Sequence, residues 1–213
     1  SAWSGFVTSG DATRAELARR APGPAWALGP ERDAPLYAGL GLELVDSPLE
    51  AAFLSCTGLI DDETETPEDY RGQLARAAAR DLEMICANPD RVVQRGDKMV
   101  FCSGALADVY ESLGGRVTMA GKPYPPIYTL ALDEASRLLD RPVDRRRVLC
   151  VGDGIPTDVK GANNQGLDLL FVAAGIHGEE ARGDDGALDP ARVTALLERE
   201  SASATYAMLD LAW

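Results

Sequence analysis

Two runs in the last third of the chain are apolar at nearly every position, VLCVGD at 148–153 and LLFVAAG at 169–175, and a polar stretch of helix length joins them. A strand wetted on one face alternates apolar and polar residues. A strand that is apolar throughout must be covered on both faces, which is the condition of a parallel strand between layers of helices. The pair therefore commits the chain to an α/β fold with a doubly wound parallel sheet. In such sheets ligands bind beyond the carboxyl ends of the strands, and GDG at 152–154 and GKP at 121–123 fall there.

The alternation extends back through the sequence. GFVTSG reads as a short strand, and TRAELARR as a helix with Thr13 and Glu16 as its capping box. PAWALG, LELV and AAFLSCTG are strand-like, and TPEDYRGQLARAAAR is helical with Pro67 in its first turn. EMICANPD, VVQRG and KMVFCSG give short strands and turns. ALADVYESLGG sets Leu106, Val109, Tyr110 and Leu113 on one helical face before two glycines end it. IYTLALDEASRLLD carries a similar stripe at Ile127, Leu130, Ala131, Ala135 and Leu138. SATYAMLDLAW reads as a last strand and tail.

With 34 acidic against 21 basic side chains the formal charge is −13, which argues against phosphate backbones and anionic membranes as partners. No apolar run approaches the roughly 20 residues of a membrane helix and no signal segment opens the chain, so a cytoplasmic location is expected. Cys56, Cys86, Cys102 and Cys150 are widely spaced, match no zinc pattern, and read as reduced core residues. Trp3, Trp26 and Trp213 are scattered and read as packing residues.

Asp153 ends the first apolar run and Asp158 follows at the start of the next helix. One helical turn brings both carboxylates toward one point, a hard oxygen site suited to Mg²⁺. Gly152 and Gly154 let the backbone approach closely, and the helix start favours an anion. Lys122, after Gly121, supplies a fixed positive charge able to neutralise a carboxylate and a phosphoryl oxygen together. Taken singly each feature has an ordinary reading: GDG as a turn, Asp158 as a helix cap, GKP as a surface turn. Their combination points to phosphate chemistry. GKP is not a Walker lysine, since no GxxxxGK[ST] loop precedes it.

VGDGIPTDVKGANNQGLDLLFVAAGIH and AGKPYPPIY resemble the fourth and third motifs of the haloacid dehalogenase-like (HAD) hydrolases, and CANPD and CSGAL resemble cap segments of the class IIA, NagD-like phosphatase branch. The resemblance covers nearly the whole chain. It implies a Rossmann-like core formed by 1–21 and 118–213, with an inserted α/β C2-type cap at 22–117 that chooses the substrate. It further implies that Lys122 positions nucleophile and phosphate, that Asp153 binds Mg²⁺ with support from Asp158, and that Asn88 and Asp90 approach the substrate from the cap. Asn-Pro-Asp is also an ordinary turn sequence. The substrate implied is a small phosphorylated metabolite, and homodimerisation through the cap is in keeping with the family.

One departure matters. The family attacks phosphate with an aspartate in a DxDG or DxxG pattern after an apolar first strand, and these residues hold none in that context. RGDDGAL follows a polar loop, and LIDDETE lies within the expected cap. The second motif is also hard to place; Thr8 or Ser9 could serve, although VTSGDATRAEL better resembles the third strand and its helix. The core expected here is incomplete, with an unpaired edge and an exposed apolar face. A longer protein, a second polypeptide or a repacked core would each account for this, and the first is preferred. The expected activity is Mg²⁺-dependent hydrolysis of a phosphomonoester through an aspartyl-phosphate on an aspartate outside these residues, so that the chain alone is inactive; the alternative is a non-catalytic phosphate-binding or regulatory protein. His177 is expected to be a loop residue without catalytic duty.

Overall fold

Thr8 starts the first helix. Its hydroxyl accepts from the Asp11 amide at 3.1 Å, and the Asp11 carboxylate accepts from the Thr8 amide at 2.9 Å, so two otherwise unpaired donors are satisfied reciprocally. The computed structural model, which describes residues 4–175 and 177–211, accordingly has helix α1 at Ser9–Ala18 and no strand in GFVTSG. The cap expected at Thr13 and Glu16 is displaced. Thr13 returns its hydroxyl to the Ser9 carbonyl, and Glu16 pairs with Arg19 and Arg20. Both 8–11 and 13–16 have the spacing of a capping box, and the upstream one wins because it leaves an extra turn of helix behind it.

The chain forms two compact units, Val7–Gly121, and the residues up to Phe6 together with those from Lys122 onward. These bounds differ from the 22–117 expected from the sequence: residues 7–21, which include α1, and residues 118–121 belong to the same unit.

In that unit β1 (Ala25–Leu28) leads through a 3₁₀ helix at Glu31–Tyr37 to β2 (Leu44–Val45) and β3 (Phe53–Cys56). A 3₁₀ turn at Pro67–Tyr70 runs into α2 (Arg71–Ala79) and β4 (Glu83–Cys86). An antiparallel hairpin, β5 (Val92–Arg95) and β6 (Lys98–Phe101), then precedes α3 (Ser103–Ser112) and β7 (Arg116–Met119). The five-stranded sheet has the order β2-β1-β3-β4-β7, and every pairing is parallel. β3 is buried at all four positions, as a doubly covered strand must be. Leu17 of α1 packs with Ala25, Phe53 and Ile85, and α3 lies against β3, β4 and β7. Tyr110, fully buried, donates its hydroxyl to the Leu82 carbonyl at 2.6 Å. Trp26 is buried in β1, whereas Trp3 and Trp213 lie outside the described residues.

The other unit contains α4 (Pro125–Leu139), β8 (Leu149–Gly152), α5 (Lys160–Gln165), β9 (Asp168–Val172), α6 (Gly178–Ala181), α7 (Pro190–Arg199) and β10 (Tyr206–Met208). Its parallel sheet has the order β10-β9-β8. The core gathers Ile155, Val159, Leu169, Phe171, Val193 and Leu197. β8 is an edge strand among the described residues, and its Leu149 and Val151 are 47% and 48% exposed. The stripe expected on α4 is not buried: the helix has no buried residue, and Ala131 and Leu138 are exposed. All four cysteines are free, Cys56 and Cys86 buried and Cys102 and Cys150 half-buried. No helix among the described residues is long and apolar enough to cross a membrane.

Candidate active site

β8 carries the chain to Gly152 and presents Asp153 at its carboxyl end. The following turn, Ile155–Val159, is a single wide π turn in which the Gly154 carbonyl accepts from the Asp158 amide at 2.7 Å and the Val159 amide at 3.1 Å. That turn brings Asp158 back over the strand end. Its Oδ2 accepts from the Gly154 amide at 3.0 Å, and its Oδ1 accepts from Lys122 Nζ at 2.6 Å. Both bonds are charge-assisted, the stronger class of hydrogen bond. The Asp158 side chain is 16% exposed and that of Lys122 48%, so the pair sits at an opening with its acid end inward.

Glycines make the space. A Cβ on Gly152 would stand 2.4 Å from Asp158 Cγ, and one on Gly154 would stand 2.4 Å from Thr157 Oγ1. A Cβ on Gly175 would come within 2.0 Å of Asp153 Oδ2. Gly175 ends the second apolar run as Gly152 ends the first; that repeated position is the signal in the sequence for a site residue not singled out there. A Cβ on Gly161 would meet the Tyr128 hydroxyl at 1.9 Å, so α5 seats directly on that ring. Burial raises the pKa of the Tyr128 hydroxyl and of the Cys150 thiol, and the Asp158 charge raises both further. Both therefore stay protonated near neutrality, and neither is an activated nucleophile.

Asp153 and Asp158 offer hard carboxylate oxygens from one loop, while no group of three or more His, Cys, Asp or Glu side chains able to hold an ion occurs among the described residues. Two carboxylates fit Mg²⁺, which is commonly held by one or two carboxylates and completed by water and substrate phosphate. Both oxygens of Asp158 are engaged, one by Lys122 and one by the Gly154 amide.

Gly121 belongs to the 7–121 unit, where a Cβ would meet Pro89 at 2.7 Å. Asn88 and Asp90 form an Asx turn, the Asn88 Oδ1 accepting from the Asp90 amide at 3.1 Å, and the Ser103 hydroxyl brackets the Asn88 backbone. Asp62 of LIDDETE is held between Arg32 and Arg95, a structural ion pair. His177 precedes the short α6, its ring 6.3 Å from that of Phe171 and its Nε2 buried without a partner among the described residues.

Residues 119–198 match the HAD-hydrolase-like family model. Among solved structures, a hydrolase of the haloacid dehalogenase-like family from Brucella suis 1330 is 44% identical with a TM-score of 0.75, over 99% of this chain and 73% of that one. p-Nitrophenyl phosphatase from Archaeoglobus fulgidus shares the fold at 23% identity and TM-score 0.67, over 95% of this chain and 70% of that one. A glycerol phosphate phosphatase from Mycobacterium tuberculosis, solved with magnesium, is 25% identical at TM-score 0.63, over 96% of this chain and 56% of that one. No curated protein sequence matches.

Proposed function

Because the chain belongs to the haloacid dehalogenase-like hydrolase family, we propose that it forms part of a Mg²⁺-dependent phosphatase of the class IIA type, acting on a small phosphomonoester. The observation that carries this reading is the 2.6 Å bond between Lys122 and Asp158 at the end of β8, beside Asp153. It sets one cation and two carboxylates around a strand terminus, the charge pattern that a metal and a phosphoryl group would complete.

Lys122 holds the loop closed through Asp158 and offers its remaining N–H donors to a phosphoryl oxygen. Asp158 fixes the π turn, and Gly152 and Gly175 leave both carboxylates room. Mg²⁺ held by Asp153 with support from Asp158 would neutralise phosphoryl charge. The nucleophile of this reading is an aspartate outside the 213 residues, whose carboxylate oxygen bonds to phosphorus as the ester oxygen leaves; water then cleaves the aspartyl-phosphate. The open edge of β8, with Leu149 and Val151 half exposed, supports a further strand beside it. In this reading unit 7–121 takes the role of the cap, the part that chooses the substrate.

Intact mass of the protein, together with the coding sequence before Ser1, tests the reading first. An upstream strand ending in DxDG, with Mg²⁺-dependent hydrolysis of phosphomonoesters that is lost in Lys122→Met, supports it. A protein that begins at Ser1, copurifies with no partner and hydrolyses nothing overturns it in favour of a phosphate-binding role.

A further inference from the structure

The amino end of β8 lies about 13 Å from the Asp153 end, the length of its four residues at roughly 3.3 Å each. The chain reaches it through a loop that α4 holds in place. The Ser136 carbonyl accepts from the Arg141 amide at 3.1 Å, and the Ser136 hydroxyl accepts from the Val143 amide at 3.2 Å. Pro142 between them has a fixed φ and biases Arg141 toward extended backbone. A 3₁₀ turn at Arg145–Arg147 follows, where the Asp144 carbonyl accepts from the Arg147 amide at 2.9 Å. Arg141 and Arg147 are thereby set on one anchored loop.

A cavity of about 190 Å³ opens there, lined by Leu139, Arg141, Pro142, Val143, Asp144 and Arg147. With 34 acidic against 21 basic side chains, carboxylates are in surplus, and the neighbouring arginines use them: Arg137 bonds Glu134 at 2.7 Å and Arg146 bonds Asp144 at 2.9 Å. Arg145 donates to the Gln165 carbonyl at 2.6 Å. The two arginines of the cavity depart from this pattern, since neither guanidinium makes a hydrogen bond or ion pair among the described residues. The one acid in the lining is already engaged: Asp144 Oδ1 accepts from the Arg146 amide and Nε, and Oδ2 accepts from Nη2. Two positive charges without a bonded counter-charge therefore border one cavity.

We infer that this cavity is an anion site for the phosphoryl group of a small molecule, separate from the Asp153 loop. A phosphoryl group carries a charge of about −1.5 to −2 near neutrality and accepts on three oxygens, which matches two guanidinium forks. A single carboxylate would leave one of the two charges uncompensated. The cavity is smaller than the roughly 300–1,000 Å³ of sites that enclose a whole ligand, so it takes the anionic head and leaves the rest of the molecule outside. Occupancy at the amino end of β8 does not compete with a ligand at its carboxyl end, so the bound molecule acts as an effector and not as a substrate. The inference rests on residues 134–147 and stands whether or not the phosphatase reading does.

The test is an amide NMR titration of the ¹⁵N-labelled 213-residue chain with inorganic phosphate, in EDTA at low salt, and separately with acetate at the same ionic strength. Phosphate is expected to move the amides of Arg141, Val143, Asp144 and Arg147 together. Arg141→Gln and Arg147→Gln are each expected to weaken that binding about tenfold, the loss of one charge-assisted contact. Both side chains are exposed, so both variants keep the dispersed spectrum of the parent. Lys122→Met is expected to leave binding at this loop unchanged while removing any shift of the Gly154 and Asp158 amides, which separates the two sites. No movement of the 141–147 amides with phosphate, an unchanged affinity in both arginine variants, or equal movement with acetate each overturns the inference.

Discussion

Lys122 and Asp158, 36 residues apart in sequence, are joined by a 2.6 Å bond from Nζ to Oδ1, and Asp158 spends its other oxygen on the Gly154 amide. One carboxylate thus ties the GKP segment to the turn after β8. In the protein supplied with its nucleophile, Lys122→Met is expected to lower kcat by about 10²–10³, the scale for losing one charge-stabilising donor. Steady-state kinetics read it, and a loss confined to KM would reassign the lysine to ground-state binding.

Gly175→Ala places a methyl 2.0 Å from Asp153 Oδ2, so the carboxylate must move. Expected are a stability loss of about 1–3 kcal/mol from overpacking and a weakening of Mg²⁺ binding on the order of 10–100-fold. Calorimetric titration and thermal unfolding measure the two. Gly72→Ala is the control, since nothing lies within 4 Å of its Cβ in α2, and it should stabilise by about 0.5–1 kcal/mol.

Leu149 and Val151 are about half exposed in β8, which pairs only with β9 among the described residues. Such an edge templates association. The 213-residue chain is expected to self-associate with rising concentration, and Val151→Lys to suppress this, as followed by light scattering. Equal scattering from both proteins would show the edge to be inert.

Glu83 loses solvation by partial burial, but hydrogen bonds from Thr118 and Arg20 outweigh this and hold its carboxyl below the ordinary value. A depressed folded pKa gives stability that is present above the unfolded value of about 4.3 and is lost as pH falls through the folded value. Glu83→Gln should therefore cost about 1 kcal/mol at neutral pH, discounted for partial exposure, and the difference from wild type should fade as pH drops below about 4. A difference independent of pH in thermal unfolding would assign the effect to packing.

The parallel strands were legible because near-continuous apolar runs mark them: β3 and β4 are covered as such runs require, whereas β8 is as apolar although its Leu149 and Val151 are half exposed. The place of Asp153 at the end of β8 and the meeting of Lys122 with Asp158 were legible because strand ends and helix starts are marked by glycine and proline. The start of α1 was misplaced because two capping boxes overlap in spacing and only the fold chooses between them. The α4 stripe misled because periodicity states which residues share a face and not whether anything covers it. The meeting of Arg32, Thr57 and Asn88 around one cavity was invisible for a different reason: strand order is a property of pairing partners, and these residues come together only once that order exists.

The three glycines around the carboxylates give the mutational landscape of this chain an unusual profile. Positions 152, 154 and 175 carry no functional group, yet each is the gap into which a side chain would intrude on Asp153, Thr157 or Asp158. A saturation scan should show them as intolerant as the acids themselves, and even the smallest replacement should fail. Selection at such positions acts on volume alone, so a survey that ranks residues by chemical reactivity would pass over half of what keeps the loop in shape.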